Sequence, residues 1–348
     1  LSRPDSTTGS LPGAAAETAA SAGALRRFLA ARESSVIVVL ALICTALFFS
    51  SARSSFYSVQ NVQNLLLNIA LLSTFAIGET IVIITGGIDL SLGSLIAFSG
   101  MVLALSVNKL LPGIAVPVAM LLALGVSLAI GCVHGLLIDR LRLPAFVVTL
   151  ASLTILRSQS LLLNRQLPIP ISDFPFLGNL ANGQIFAGKP YALPIPAVLV
   201  VGIAVACHLI LTRTPTGRYL YSIGSNEQAT RLSGVNITRV KLFAYAASAL
   251  LGGVAGILYA GYGAQGDPQN GQGYELNAVA AAVIGGANLM GGQGSVGGTL
   301  LGACLLQVML SGINLTITNP SLWQGTVVGG VLLLAVLTTA LQQRRNRN

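Results

Sequence analysis

The sequence predicts an all-α, polytopic membrane protein of about ten transmembrane helices with both termini cytoplasmic. Three observations carry this prediction. The 348 residues are 53% hydrophobic and only 8% charged, with a mean hydropathy of +0.79, whereas ordinary globular chains are roughly a quarter charged. Apolar runs approaching the roughly 20 residues needed to cross a bilayer recur from end to end. The basic residues gather at the boundaries of alternate runs, as cytoplasmic loops require.

Taken in order, the first 35 residues are rich in Ala, Ser, Gly and Thr and lack hydrophobic periodicity. A disordered cytoplasmic tail is therefore expected over 1–35, followed by a transmembrane domain over 36–343. Arg26, Arg27 and Arg32 precede the run Val36–Ser50, read as an uncleaved first span because further spans follow. The expected spans are 35–52, 60–85, 90–108, 114–138, 143–163, 191–212, 240–261, 275–290, 296–315 and 321–341. Of these, 60–85 is open to a bend or break, and 275–290 is short enough to be re-entrant. An even number of spans with the N-terminus inside leaves only Arg53, Lys109, Arg157, Arg165 and Lys189, of 19 Lys and Arg, outside or within the membrane. The polar loop 213–241 carries five basic residues and one acid and falls on the cytoplasmic side. The loop 164–190, polar and proline-rich, is expected to be ordered in pieces on the outer surface.

Composition also removes function classes. A net charge of +9 would point to nucleic acid in a soluble chain. Here the bases read as topology signals, so lipid is the expected surrounding and nucleic acid is not a partner. Cys44, Cys132, Cys207 and Cys304 lie in apolar segments without CxxC or metal-ligand spacing, and are read as buried free thiols with no metal site. No GxxxxGK[ST] and no HExxH occurs, so neither P-loop nucleotide hydrolysis nor that metalloprotease chemistry is expected.

Glu79 and Asp89 are the only charges between Ser54 and Asn108, and Asp267 and Glu275 the only ones between Leu242 and Gln343. An acid at mid-bilayer costs roughly 2.5–3.5 kcal/mol on insertion scales and faces a cavity or a partner. Glu79 therefore either lines a polar path or is held neutral or hydrogen-bonded between helices. Asp89, inside TGGIDLSLGS, either contacts substrate or caps the following helix, as Ser91 can. Asn64 and Asn68, four apart with Gln60 on the same stripe, suit a hydroxyl-rich solute or plain interhelical hydrogen bonding. Glu275 and Asn277 belong to QGDPQNGQGYELN (265–277), an outer gate or a solvated turn. His134 and His208 are expected as packing histidines, and Arg157 to snorkel toward headgroups.

Two glycine-rich passages, 85–94 and 285–298, interrupt helix-like stretches on the same side of the membrane and echo each other loosely. In the large loop, Ser225 or Asn226 suits an N-cap, Glu227 the first turn and Gly234 the stop of a two-turn helix. Ala229 and Leu232 share an apolar side of it. So short a helix is marginal alone in water and needs the membrane domain or a partner to hold it; an ordinary surface turn is the other reading.

The passages TGGIDLSLGS (85–94), GRYLYSIGSNEQATRLSGVNITRVK (217–241) and GYELNAVAAAVIGGANLMGGQGSVGGTLLGA (273–303) occur in this order, with LPAFVVTLASLTILRS (143–158) in register. Together they closely resemble the membrane permeases of bacterial ribose-type ABC importers, over about residues 61–336. The resemblance implies a multi-pass subunit of the bacterial inner membrane that works as a homodimer or beside a related permease. It implies no catalytic centre and no cofactor in this chain, ATP being used by a separate cytoplasmic ATP-binding subunit. A periplasmic sugar-binding protein would deliver a simple sugar, a ribose-like pentose or a hexose. By the same resemblance Ser225, Asn226, Glu227, Arg231, Leu232 and Gly234 form the segment that couples to the ATPase. Glu79 stands where ribose permeases commonly have methionine, and Asn277 where many relatives have an acid; these departures bear on the sugar. The rival readings are an ion-coupled secondary transporter of a small polar solute, with Glu79 or Asp89 as the ion site, a membrane-embedded enzyme, and a structural scaffold.

Overall fold

The computed structural model describes residues 32–110, 115–189 and 191–345. The tail expected over 1–35 lies almost wholly outside the described residues. Within them the regular structure is helical apart from four two-residue strands. Runs such as Ile81–Ile84, and most of Val198–Val201, are β-branched, yet they are helical. A segment surrounded by hydrocarbon must satisfy every backbone polar group internally, which outweighs local propensity.

Helix α1 spans Arg32–Phe48, and α2 is a single turn, Arg53–Phe56. Helix α3, Val59–Ile84, starts where the Ser58 hydroxyl accepts the Asn61 N–H. It runs unbroken through the stretch where a bend was open. After the glycine-rich turn, α4 covers Leu92–Leu105 and ends in a π-helical turn, Ser106–Leu110. Then follow α5 (Val116–Arg140), α6 (Ala145–Leu163), strand β1 (Ile169–Pro170), α7 (Pro175–Asn182), and strands β2 (Gln184–Ile185) and β3 (Leu193–Pro194). The remaining elements are α8 (Ile195–Arg213), α9 (Pro215–Ser225), α10 (Glu227–Leu232), α11 (Ile237–Tyr262), strand β4 (Gln265–Gly266), α12 (Tyr274–Ile284), α13 (Val296–Thr316) and α14 (Pro320–Arg345).

Seven helices among the described residues are long and apolar enough to cross a membrane: α3, α5, α6, α8, α11, α13 and α14. Three shorter apolar helices, Ser34–Phe48, Leu92–Asn108 and Tyr274–Ile284, occupy the other expected stretches. The most apolar window of α3 is 89% buried and that of α14 only 6%. So α3 and α11 form the centre, and α5, α6, α8 and α14 turn apolar side chains outward, as lipid-facing helices do. Small residues bring the central helices together. A Cβ on Gly131 of α5 would sit 2.7 Å from the Ala249 Cβ and 2.8 Å from the Ala246 Cα of α11.

At one end of the bundle β1 pairs antiparallel with β4, and β2 with β3, so the 164–190 loop is ordered in pieces. The segment after α11 is not a solvated turn. It turns back along α4: Gly266 lies against Gly100, Met101 and Ala104, and Gly271 against the backbone of Gly93. Eleven residues of α4 separate those contacts, about 16 Å at 1.5 Å per residue. Helix α12 therefore starts partway down the bundle, which is why it is short. Arg157 does not snorkel. It is half-buried, and its Nη1 donates to the Pro268 and Asn270 carbonyls at 2.9 and 2.7 Å, pinning this segment. His208 is exposed on α8 rather than packed, whereas His134 is buried with Nε2 2.6 Å from the Ser152 hydroxyl. All four cysteines are free, Cys207 buried and the others half-buried.

Candidate functional site

The α9–α10 hairpin is built from local signals. Thr214 caps α9 by accepting the Gly217 N–H at 3.2 Å, with proline in the first turn. Ser225 donates its hydroxyl back to the Tyr221 carbonyl, so it closes α9. Asn226, with extended backbone, is the cap of α10, its Oδ1 accepting the Ala229 N–H at 2.9 Å. Gly234, at φ +83°, donates its N–H to the Arg231 carbonyl and ends the turn. Thr230 faces the bundle, whereas Ala229 is exposed and Leu232 is 83% exposed. The shared apolar side of α10 thus points away from the rest of the chain.

All three ion pairs among the described residues belong to this hairpin: Glu227–Lys241 at 2.7 Å, Glu227–Arg231 at 3.0 Å and Arg231–Asp139 at 3.8 Å. The Thr238 hydroxyl also donates to Asp139. Burial raises the Glu227 carboxyl, but the hydrogen bonds and charges of Lys241 and Arg231 outweigh it and hold it below the usual glutamate value. The Arg231 side chain is 53% exposed, so these pairs orient the hairpin more than they stabilise it. A 640 Å³ cavity lies beside them, lined by Thr85, Gly86, Asp139, Arg142, Glu227 and Tyr245 among others.

Glu79 and Asp89 meet at the break between α3 and α4, both fully buried. Glu79 Oε1 accepts the Asp89 N–H at 3.2 Å. Asp89 Oδ1 accepts the N–H and hydroxyl of Ser91 at 3.1 and 2.6 Å, and its Oδ2 accepts the Ser248 hydroxyl at 3.1 Å. Asp89 is thus occupied in ordering the start of α4. Glu79 Oε2 has no hydrogen-bond partner, and neither acid forms an ion pair among the described residues. Glu275 reaches the same turn from α12: a Cβ on Gly93 would overlap its Oε2, which is buried without a hydrogen-bond partner. Two acids therefore flank the first turn of α4, where a helix N-terminus favours negative charge. Asn277, two residues on and so on the opposite side of α12, is half-buried.

Asn64 and Asn68 lie elsewhere. They are exposed on the first half of α3 and, with Asn61, Gln307, Ser311 and Asn314, line a cleft of 220 Å³ between α3 and α13. Gln60 donates to Asn64 Oδ1 at 3.3 Å, Ser311 to Asn61 Oδ1 at 3.4 Å and Gln324 to Asn314 Oδ1 at 3.1 Å. The six residues expected along one path thus fall in three places: the cleft, the α3–α4 break and the start of α12. Sequence reasoning missed Gln307, Ser311 and Asn314, although their i, i+4, i+7 spacing marks one helical face. It also missed Asp139 and Ser248, for which no local signal exists.

A mainly helical bundle with a polar lateral cleft, a buried acidic helix break and a charged hairpin fits a multi-pass membrane permease. The family model described as branched-chain amino acid transport system / permease component matches residues 61–337, and the chain belongs to that family. It is 37% identical over 319 residues to the ribose import permease protein RbsC of Escherichia coli K12, covering 89% of this chain and 94% of that one. It is 36% identical over 300 residues to RbsC of Bacillus subtilis, covering 86% and 90%. Identity to the xylose transport system permease protein XylH of Haemophilus influenzae is 30% over 356 residues, covering 86% and 94%. No solved structure matches the chain. The protein is a transport permease of the bacterial inner membrane.

Proposed function

We propose that this chain is the membrane-spanning subunit of an ABC importer for a simple sugar, energised by a separate ATP-binding subunit and supplied by a periplasmic binding protein. The reading takes the seven long and three short apolar helices as ten membrane segments over 36–343, the seven long ones being apolar enough to cross a bilayer. The basic excess puts both termini and the 213–241 loop in the cytoplasm. The observation that carries the reading is α10 itself. Its charged residues tie it to α5 and α11, while Leu232 is presented outward, 83% exposed among the described residues. Ser225–Gly234 is then the element that docks on the ATPase, and no cofactor is required of the permease.

The amide-lined cleft between α3 and α13 is the candidate sugar path. Amides pair with sugar hydroxyls as both donor and acceptor. So many polar groups on a lateral face are costly against lipid, so a second permease copy, or a sister subunit, covers them. Glu79, Asp89 and Glu275 act at the helix break rather than on the solute, and Asn277 lies at the start of α12. A specific observation supports the alternative, an ion-coupled carrier: the Glu79 oxygen left without a partner. Reconstitution with the ATP-binding subunit and binding protein separates the two. ATP-dependent uptake of ribose or xylose supports the importer; uphill uptake by the isolated chain under an ion gradient overturns it.

A further inference from the structure

Gly224, one residue from the end of α9, touches two other segments at once. A Cβ there would overlap both the Ile84 carbonyl oxygen, at the end of α3, and the Gly292 nitrogen. The Gly292 N–H donates to that same Ile84 oxygen at 2.9 Å. Next to it, a Cβ on Gly291 would lie 2.8 Å from the Gly224 Cα and also 2.8 Å from the Gly86 nitrogen. Three backbones meet here with no side chain between them, which only glycine permits.

The loop that makes this contact is itself braced. The Asn288 N–H donates to the Gln293 carbonyl at 3.0 Å, the Gly291 N–H to the Asn288 carbonyl at 2.8 Å, and the Met290 N–H to Asn288 Oδ1 at 3.1 Å. From α9, the Tyr221 hydroxyl donates to the Gly294 carbonyl at 2.8 Å. Ile84, Leu220, Ile223 and Val296 close the assembly in one apolar cluster. Glu79 lies five residues before Ile84 on the same helix.

We propose that the loop Asn288–Gly294 is a rigid linkage that carries displacement of the α9–α10 hairpin to the helix break holding Glu79 and Asp89, and that Tyr221 is the residue positioning it. This rests on the transport reading above. Close-packed backbone contacts move together rather than absorbing strain through side-chain rotation. A shift of α9 is therefore delivered to the ends of α3 and α12 and the start of α13 in one step. The two glycine-rich passages, distant in sequence, are the two sides of that joint.

The test uses the full complex with its ATP-binding subunit and binding protein. Tyr221→Phe removes only the hydroxyl holding Gly294. It is expected to lower radiolabelled ribose moved per ATP by roughly threefold to tenfold, the weight of one hydrogen bond, with the KM for ribose and membrane insertion unchanged. A wild-type ratio of transport to hydrolysis, or a changed KM with an unchanged ratio, overturns the proposal. A second measurement places spin labels at Ser225→Cys and Met290→Cys, both exposed positions, with the four native cysteines replaced by alanine. Their separation is expected to stay constant between the nucleotide-free and ATP-bound complexes; parting by several ångströms overturns the linkage. A wild-type complex that moves no sugar with ATP sinks the transport reading instead, and the label pair still judges the linkage.

Discussion

Glu79 reaches across the α3–α4 break and accepts the backbone N–H of Asp89 at 3.2 Å. A buried carboxyl thus orders a neighbouring acid, and that acid orders the first turn of α4 through Ser91 and α11 through Ser248. Replacing Asp89 by alanine leaves three buried donors unmatched. Asp89→Ala is expected to destabilise the chain by about 3 kcal/mol or more, and Glu79→Gln, which keeps the acceptor, by less than about 1 kcal/mol. Thermal unfolding in detergent measures both; equal losses would show that the break is not ordered by Asp89.

The α5–α11 crossing offers a packing test with its own control. Gly131→Ala forces a methyl into the Ala246 and Ala249 backbone and side chain, an overpacking cost of about 1–3 kcal/mol. Gly125, on the same helix, has open space where a Cβ would stand. Gly125→Ala is expected to be neutral in the same assay.

At the hairpin, exposure separates folding from docking. Leu232 touches little of its own chain, so Leu232→Asp is expected to leave insertion and thermal stability within about 0.5 kcal/mol of wild type. It is also expected to abolish co-purification of the ATP-binding subunit and to reduce ATP-dependent uptake at least tenfold. Retained co-purification would remove α10 from the docking surface.

In the cleft, Asn68→Leu and Gln307→Leu keep volume and remove hydrogen-bonding capacity. Each is expected to raise the KM for the transported sugar about tenfold, equivalent to 1.4 kcal/mol, while the ATP-binding subunit still co-purifies. An unchanged KM in both variants would take the solute path elsewhere.

The Glu227 network gives a pH dependence with a definite sign. Its carboxyl is held below the usual value of 4.5 by Lys241 and Arg231 against the opposing pull of burial. A depressed carboxyl contributes its full stabilisation above the ordinary glutamate value and loses it as pH falls through the lowered one. Hydrogen-exchange protection of Ala229–Ser233, corrected for intrinsic rates, is therefore expected to be flat from neutral pH to the ordinary value and to fall only below it. Lys241→Gln is expected to move that fall to higher pH.

What the sequence made legible was local or periodic. The run SNEQATRLSG carries its own cap, first-turn acid and stop, and each is used where local chemistry put it, apart from Ser225 closing the preceding helix. The apolar runs became helices because hydrocarbon leaves the backbone no other partner. Contacts made across the chain were not legible. Asp139 pairs with Arg231 from 92 positions away, and nothing around Asp139 announces it. The 265–277 segment reads as solvated because it is polar, yet Gly271 needs Gly93, distant in sequence, to explain why it lies against α4. The α13 amide face was visible as a spacing but gains meaning only opposite Asn61, Asn64 and Asn68.

Helix α4 is occupied at both of its ends. Its start is tied to Asp89 in the preceding break and its first turn abuts Glu275, and its far end carries the returning strand at Gly266, whose neighbours Arg157 clamps. A slip of α4 by one turn, about 5.4 Å, would disturb both extremities at once. The Glu275 contact and the Arg157 clamp, far apart along the bundle, are therefore joined through one stiff rod.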